Sequence, residues 1–199
     1  DTKTTYVNIQ QYTFEIIGFD HDTPTDTSSY GRSKAGITFQ MRDLMTTTYA
    51  MNGSNTNSGG WKNSSLRGTL NNIYNSCYDV KDFIVPVNKI TGVGGGASSG
   101  IETVSDRLFL LAEGEVFGSS YGYSGSGCSF DDECSSVTQY AYYKNGGSKI
   151  KNKSDSAYDW WLRSPFSGNV NLFCIVESDG SVTAKNPTFS YGVSFAFCV

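Results

Sequence analysis

Apolar and polar positions alternate most regularly near the two ends of the chain, and this alternation sets the first expectations. Tyr12-Thr13-Phe14-Glu15-Ile16-Ile17-Gly18-Phe19 is rich in aromatic and β-branched residues and predicts a strand, which His21-Asp22-Thr23-Pro24 ends. Gly36-Ile37-Thr38-Phe39 opens a second extended piece. It runs into Gln40-Met41-Arg42-Asp43-Leu44-Met45, where the periodicity fits a strand and a short helix equally. The clearest helix begins near Trp61, with Ser58 ahead of it and Trp61, Leu66, Leu70, Ile73 and Tyr74 mostly at helical spacing. Phe83-Ile84-Val85-Pro86-Val87 predicts a short strand ended by Lys89, followed by a Gly/Ser-rich loop over 92–100. An apolar strand is expected over 107–111, a long polar loop over 118–132 and a second helix over about 135–144.

The last quarter carries the strongest pattern. Trp160-Trp161-Leu162-Arg163-Ser164-Pro165 predicts an aromatic strand stopped by its proline. Val170 to Val176, the turn at Asp179-Gly180 and Ser181-Val182-Thr183-Ala184 then form a hairpin, and 192–199 reads as a closing central strand. Neighbouring side chains on a strand point to opposite faces, so one tryptophan is expected in the core while the other covers it or lines a site. The pattern as a whole predicts one domain over 1–199 of α+β class, with small antiparallel sheets, about two helices and long polar loops.

Composition narrows the function. With 15 basic against 19 acidic side chains the net charge is −4, so a phosphate backbone is repelled and nucleic acid is not an expected partner. No apolar run approaches the ~20 residues of a membrane span. The 22 Gly, 13 Tyr and abundant Ser and Asn are the residues that natural paratopes favour, because Tyr gives contact area at low entropic cost. Five cysteines, with no CxxC pair, exclude a zinc ribbon. Cys128 and Cys134 are the expected disulfide in an oxidising compartment, while Cys174 and Cys198 sit among apolar residues and are expected to pack as small hydrophobes.

Candidate chemistry is sparse. His21 is the single histidine, and its ring is expected to bond a loop carbonyl, Asp20 or Asp22 rather than serve a catalytic triad. Asp131, Asp132 and Glu133 supply hard oxygens of the kind calcium takes, the one ion suggested. Otherwise no metal or cofactor is expected. Glu113 and Glu115 are read as capping or turning the chain, and Gly92 to Gly96 lacks the Lys-Ser/Thr of a phosphate loop. Arg163 is read as an internal strut bonding main-chain carbonyls or a carboxylate such as Asp106. No catalytic set emerges, and the chain reads as a non-enzyme.

Several segments together carry a family resemblance: Phe14-Glu15-Ile16-Ile17-Gly18, His21-Asp22, Gly36-Ile37-Thr38-Phe39, Met51-Asn52, Gly60-Trp61, Leu66-Arg67 with Leu70-Asn71, Asp106-Arg107-Leu108-Phe109-Leu110-Leu111, Trp160-Trp161-Leu162-Arg163-Ser164-Pro165 and Gly192-Val193-Ser194-Phe195. Across nearly the whole chain they resemble a domain family abundant in anaerobic gut bacteria and their phages. The resemblance implies a C-type-lectin-like fold, which formylglycine-generating enzymes and the variable proteins of diversity-generating retroelements also use. In those variable proteins a Trp- and Arg-bearing segment precedes a hypervariable surface and a closing strand beginning Gly-Val or Gly-Phe. Both landmarks are present here, although Ser194-Phe195-Ala196 stands where many relatives have Arg-Pro-Ala.

What the resemblance implies is a non-catalytic ligand-binding display domain, either a retroelement variable protein or a receptor-binding protein of a phage or cell surface. Its place would be extracellular, on a cell surface or on a virion. Its partner would be a protein or glycan on a cell or host surface, with 160–199 as the binding segment. Trp161, Asn169, Asn171, Ser178, Lys185, Asn186, Thr188 and Tyr191 are the candidate contacts. The alternatives are a formylglycine-generating-like oxidase, for which Cys174 and Cys198 would be the redox or copper pair, and a fixed virion structural domain. The oligomeric state is not specified by the sequence.

Overall fold

A strand with buried side chains at every position is covered on both faces, and three such segments organise the molecule: Trp160–Pro165, Phe173–Val176 and Ala196–Cys198. In the computed structural model, which describes residues 1–7, 10–96, 100–119 and 132–199, alternate side chains along them feed two apolar cores. Trp161, Phe173, Ile175, Phe195 and Phe197 enter one core with Phe14, Phe39, Trp61 and Leu70. Trp160, Leu162, Cys174, Val176, Ala196 and Cys198 enter the other with Phe109, Val116, Tyr140 and Tyr143.

In chain order the strands are β1 (Thr2–Val7), β2 (Gln10–Phe19), β3 (Thr23–Pro24), β4 (Ile37–Met41), β5 (Tyr49–Ala50), β6 (Val87–Gly92), β7 (Ile101–Asp106), β8 (Asn152–Lys153), β9 (Ser156–Ala157), β10 (Trp160–Pro165), β11 (Phe173–Val176), β12 (Val182–Lys185), β13 (Ser190–Tyr191) and β14 (Ala196–Cys198). The helices are α1 (Thr27–Tyr30), α2 (Ser65–Tyr74), α3 (Glu113–Phe117) and α4 (Ala141–Lys144). Strand orders are β1-β2-β4-β14, β10-β11-β12 and β3-β6-β7, with β13-β5 and β8-β9 as two-stranded ribbons. The class is therefore α+β, built from small antiparallel sheets. No helix among the described residues is long and apolar enough to cross a membrane.

Strand predictions at β2, β4, β10 and the β11–β12 hairpin hold, and several boundaries differ for physical reasons. Positive φ at Gly59 and Gly60 holds Trp61 in a short 3-10 turn, so α2 starts later, with Ser64 rather than Ser58 accepting from the Arg67 amide at 3.1 Å. The predicted helix over 135–144 shrinks to α4 because the Tyr140 amide bonds the Glu115 carbonyl at 3.0 Å instead of a helical partner. Phe83 closes a 3-10 turn and lies exposed, and the strand begins only at Val87. Lys89 does not end that strand; β6 runs through it to Gly92. Over 107–111 one bridge forms, Phe109 with Ala196, so this extended segment lies along β14.

Gly18 makes room for a ring from α4's leading edge. The β2–β4 register shifts between Ile16 and Gly18, and a Cβ on Gly18 would stand 2.9 Å from Cδ1 of Tyr140. The missing side chain admits the Tyr140 ring.

Candidate functional site

Two sites stand out, one a loop face and one a buried ionic network beside a cleft. The loop face is organised by Asn57, which is fully buried. Its Nδ2 donates to the carbonyls of Phe166, Asn169 and Leu172, each at 2.9 Å, and its Oδ1 accepts from the Gly95 amide at 2.8 Å. The Asn57 amide donates to the Val170 carbonyl at 2.6 Å. Gly94 has to be glycine for this approach, since its φ is +63° and a Cβ would fall 1.9 Å from the Asn57 carbonyl oxygen. A short link carries the order to the next loop: Asn52 donates from its amide to the Pro187 carbonyl at 3.0 Å and from its side chain to the Thr56 carbonyl at 2.8 Å. The main chain of both loops is fixed, while Val170 (43%) and Phe189 (56%) remain exposed.

The predicted contact residues divide on this frame. Asn169 and Thr188 are exposed on the two loops, with Asn171, Lys185 and Asn186 half-buried beside them. Asn169 and Asn186 also shape their own turns, accepting at 2.9 Å from the amides of Asn171 and Thr188. Ser178 is exposed, but the register pairing Phe173 with Lys185 and Val176 with Val182 puts it at the opposite end of the hairpin. Tyr191 is half-buried, edge-on to Trp161 with ring centroids 5.0 Å apart. Trp161 itself has no exposed surface, and its indole N–H donates to the Tyr49 carbonyl at 2.8 Å. It is a core residue rather than a contact. Both tryptophans are buried because β10 is covered on both faces.

The ionic network joins four elements. Lys89 on β6 places its ammonium 2.6 Å from Asp22 Oδ1 and 2.7 Å from Glu115 Oε1. Glu115 on α3 takes two bonds from Arg163 on β10, at 2.6 and 3.0 Å. Arg163 also donates to the carbonyls of Leu110 at 2.8 Å and Ile90 at 2.9 Å. It is an internal strut, as expected, with Glu115 rather than Asp106 as its acid. Asp106 instead accepts from Trp61 Nε1 at 2.8 Å and Arg67 Nε at 2.7 Å. Asp22 Oδ2 accepts from the hydroxyls of Tyr140 and Thr38, both at 2.8 Å. Glu115 bends back to accept the Ala112 amide at 3.0 Å, which is the capping role the sequence suggests.

Burial opposes charge on Asp22 and Glu115, yet Lys89 and Arg163 outweigh it and hold both carboxyls below the usual range, Glu115 down to about 2. Burial likewise opposes the Lys89 charge, and Asp22 with Glu115 raises it instead. His21 stacks on Tyr140 at 3.9 Å, and burial lowers its pKa, so it stays neutral at pH 7. These groups reach a cleft of about 170 Å³ that His21, Lys34, Asn88 and Thr138 also line. Ligand atoms of His21, Asp22 and Glu115 lie within 4.8 Å of one another, a spacing a metal could use. The Lys89 ammonium, with Arg163, already neutralises the two carboxylates there, so the donor set does not fit a metal ion without expelling that lysine.

Of the residues read for calcium, Asp131 lies outside the described residues. Asp132 accepts the Gly100 amide at 3.1 Å and Glu133 the Gly92 amide at 2.9 Å. Burial raises the Glu133 carboxyl above its ordinary range. Cys134 is disulfide-bonded, and its expected partner Cys128 lies outside the described residues. Cys77, Cys174 and Cys198 are buried thiols.

A family model described as a domain of unknown function (DUF6273) matches residues 35–199. The chain belongs to the DUF6273 family. Searches among curated proteins and among solved structures find no match. The family span holds Lys89, Glu115, Tyr140, Arg163 and the whole loop face. His21 and Asp22 precede it, yet β4 inside the span pairs along its length with β2 outside it, so the family fold and the first strands form one sheet in this chain.

Proposed function

We propose that this DUF6273 domain is a non-catalytic ligand-binding module with a C-type-lectin-like fold. It presents the loops over 166–172 and 186–190 to a protein or glycan on a cell or host surface. The observation that carries this reading is the Asn57 clamp: loops whose main chain is fixed before binding lose little entropy when a ligand arrives. Exposed apolar side chains amid polar neighbours, Val170 and Phe189 beside Asn169 and Thr188, give such a face contact area and directionality. The fold assignment draws support from strands of both chain ends, β1, β2 and β14, sharing one sheet.

The test compares the wild-type domain with a Val170→Asp, Phe189→Ser double variant on arrays of glycans and surface proteins. The expected result is a ligand retained by the wild type and lost by a variant that melts at a similar temperature. Undiminished binding by the double variant would overturn the assignment of this face.

A further inference from the structure

Lys89, Asp22 and Glu115 meet at hydrogen-bond distance in the interior, beside a cleft that opens to solvent. Register pairs Thr23 with Asn88, which sets Asp22, one residue earlier, opposite Lys89 on the neighbouring strand. The amine stands 2.6 Å from one Asp22 oxygen and 2.7 Å from a Glu115 oxygen, and all three side chains are at most 4% exposed. Phe109 and Tyr140 rings flank the nitrogen at 4.3 and 5.4 Å. A primary amine against a carboxyl group, both shielded from bulk solvent, with a second carboxylate touching the amine, supplies the three groups that amide formation uses once a proton has moved from the amine.

We propose that Lys89 and Asp22 condense into an intramolecular isopeptide bond, with Glu115 carrying the protons. The Nζ–Cγ bond forms as the Cγ–Oδ1 bond breaks. Of the three ammonium protons one stays on the amide nitrogen, and two pass by way of Glu115 to the departing oxygen, which leaves as water. Oδ2 remains as the amide carbonyl. The Tyr140 and Thr38 hydroxyls, each 2.8 Å away, donate to it as negative charge builds in the tetrahedral intermediate. The reaction is redox-neutral and uses no co-reactant, and the cleft beside His21 and Thr138 is the path for the water. One positive and one negative charge disappear together, and the doubly bonded Arg163–Glu115 pair is left intact. The ion pair is the resting state before reaction, so the bond forms after folding brings the strands together.

The decisive readout is the intact mass of the full chain, folded at neutral pH and then reduced and denatured. The expected mass is about 18 Da below that of the sequence, the mass of one water, with a proteolytic fragment joining the peptides that hold Asp22 and Lys89. Lys89→Arg keeps a buried cation but cannot form the amide, and is expected at its full sequence mass. Glu115→Gln removes the counter-charge of Arg163 and is expected to be less stable; its folded fraction, isolated by size exclusion, is expected to stay unlinked. A wild type at full mass after prolonged incubation would overturn the bond, as would the same loss in Lys89→Arg. A linked Glu115→Gln would overturn the role of Glu115.

Discussion

The side-chain amide of Asn57 donates to the carbonyl of Phe166 across 2.9 Å, although 109 residues separate them in sequence. A single buried amide thus ties the loop after Ser54 to the loop between β10 and β11. Through its Oδ1 and the Gly95 amide it also ties the turn after β6.

The cost of replacing this residue is set by its partners. Asn57→Ala strands three carbonyls and one amide and is expected to lower stability by about 2 kcal/mol or more in urea. Asn57→Asp should be worse, because a carboxylate would face the same three carbonyls. Amide exchange of residues 166–172 is expected to accelerate in both, and unchanged exchange would mean that the loop is held elsewhere.

Diversification, if a retroelement acts on this locus, should respect the same division. Across isolates, adenine-directed substitutions are expected at Asn169, Asn171, Lys185, Asn186, Thr188 and Tyr191, with Asn57, Trp161 and Arg163 constant and Ser178, at the far end of the hairpin, outside the varied set. A uniform locus without a template repeat would leave a binding face of fixed specificity.

Arg163→Met should be among the most damaging single changes. It leaves the buried Glu115 carboxylate without its bidentate partner, and breaking a buried pair costs about 3–5 kcal/mol. Arg163→Lys is not expected to rescue it, since an ammonium cannot reproduce both the fork on Glu115 and the bonds to Leu110 and Ile90. Urea midpoints of the two variants decide this.

Acid should weaken the fold in a defined window. Glu115 titrates near 4.5 when unfolded and near 2 when folded, so the unfolded chain binds its proton first as pH falls. The stability it contributes is complete above about pH 4.5 and is lost on the way down to about pH 2. Glu133, whose carboxyl burial raises, acts at higher pH with the opposite sign, favouring the fold on mild acidification. Arg163→Met should flatten the limb below pH 4.5, and a limb of unchanged slope would place the acid sensitivity elsewhere.

Thiol chemistry separates the binding reading from an oxidase. Burial pushes the Cys77 thiol up to about 11 and the Cys198 thiol well above its ordinary value. Neither is a reactive thiolate at neutral pH. Cys77, Cys174 and Cys198 are expected to resist a thiol reagent in the folded protein and to react once it is denatured. Rapid labelling of Cys174 or Cys198 in the native state would reopen the oxidase reading.

The strands were the legible part of the sequence, because period-2 alternation at β2 and the dense apolar text of β10, β11 and β14 record burial directly. Helix extents were less so: Tyr140 spends its amide on Glu115, a partner that local periodicity cannot register. Within the site, Arg163 was readable as a strut because an arginine between Leu162 and Ser164 in an apolar strand must be neutralised. Its actual acid was not, since that depends on how α3 docks. Lys89 between apolar Val87 and Ile90 carried the same signal, but reading a lysine as a strand end hid it. Asn57, one of several similar residues in a polar loop, had no local mark of its burial.

Because β10 separates the two apolar cores, its adjacent indoles face different interiors: Trp160 bonds the Lys149 carbonyl at 3.0 Å, and Trp161 the Tyr49 carbonyl at 2.8 Å. The chain thus carries a natural pair of optical probes one residue apart. Emission followed separately in Trp160→Phe and Trp161→Phe variants, each also carrying Trp61→Phe, would tell whether the halves of the molecule melt together or in turn.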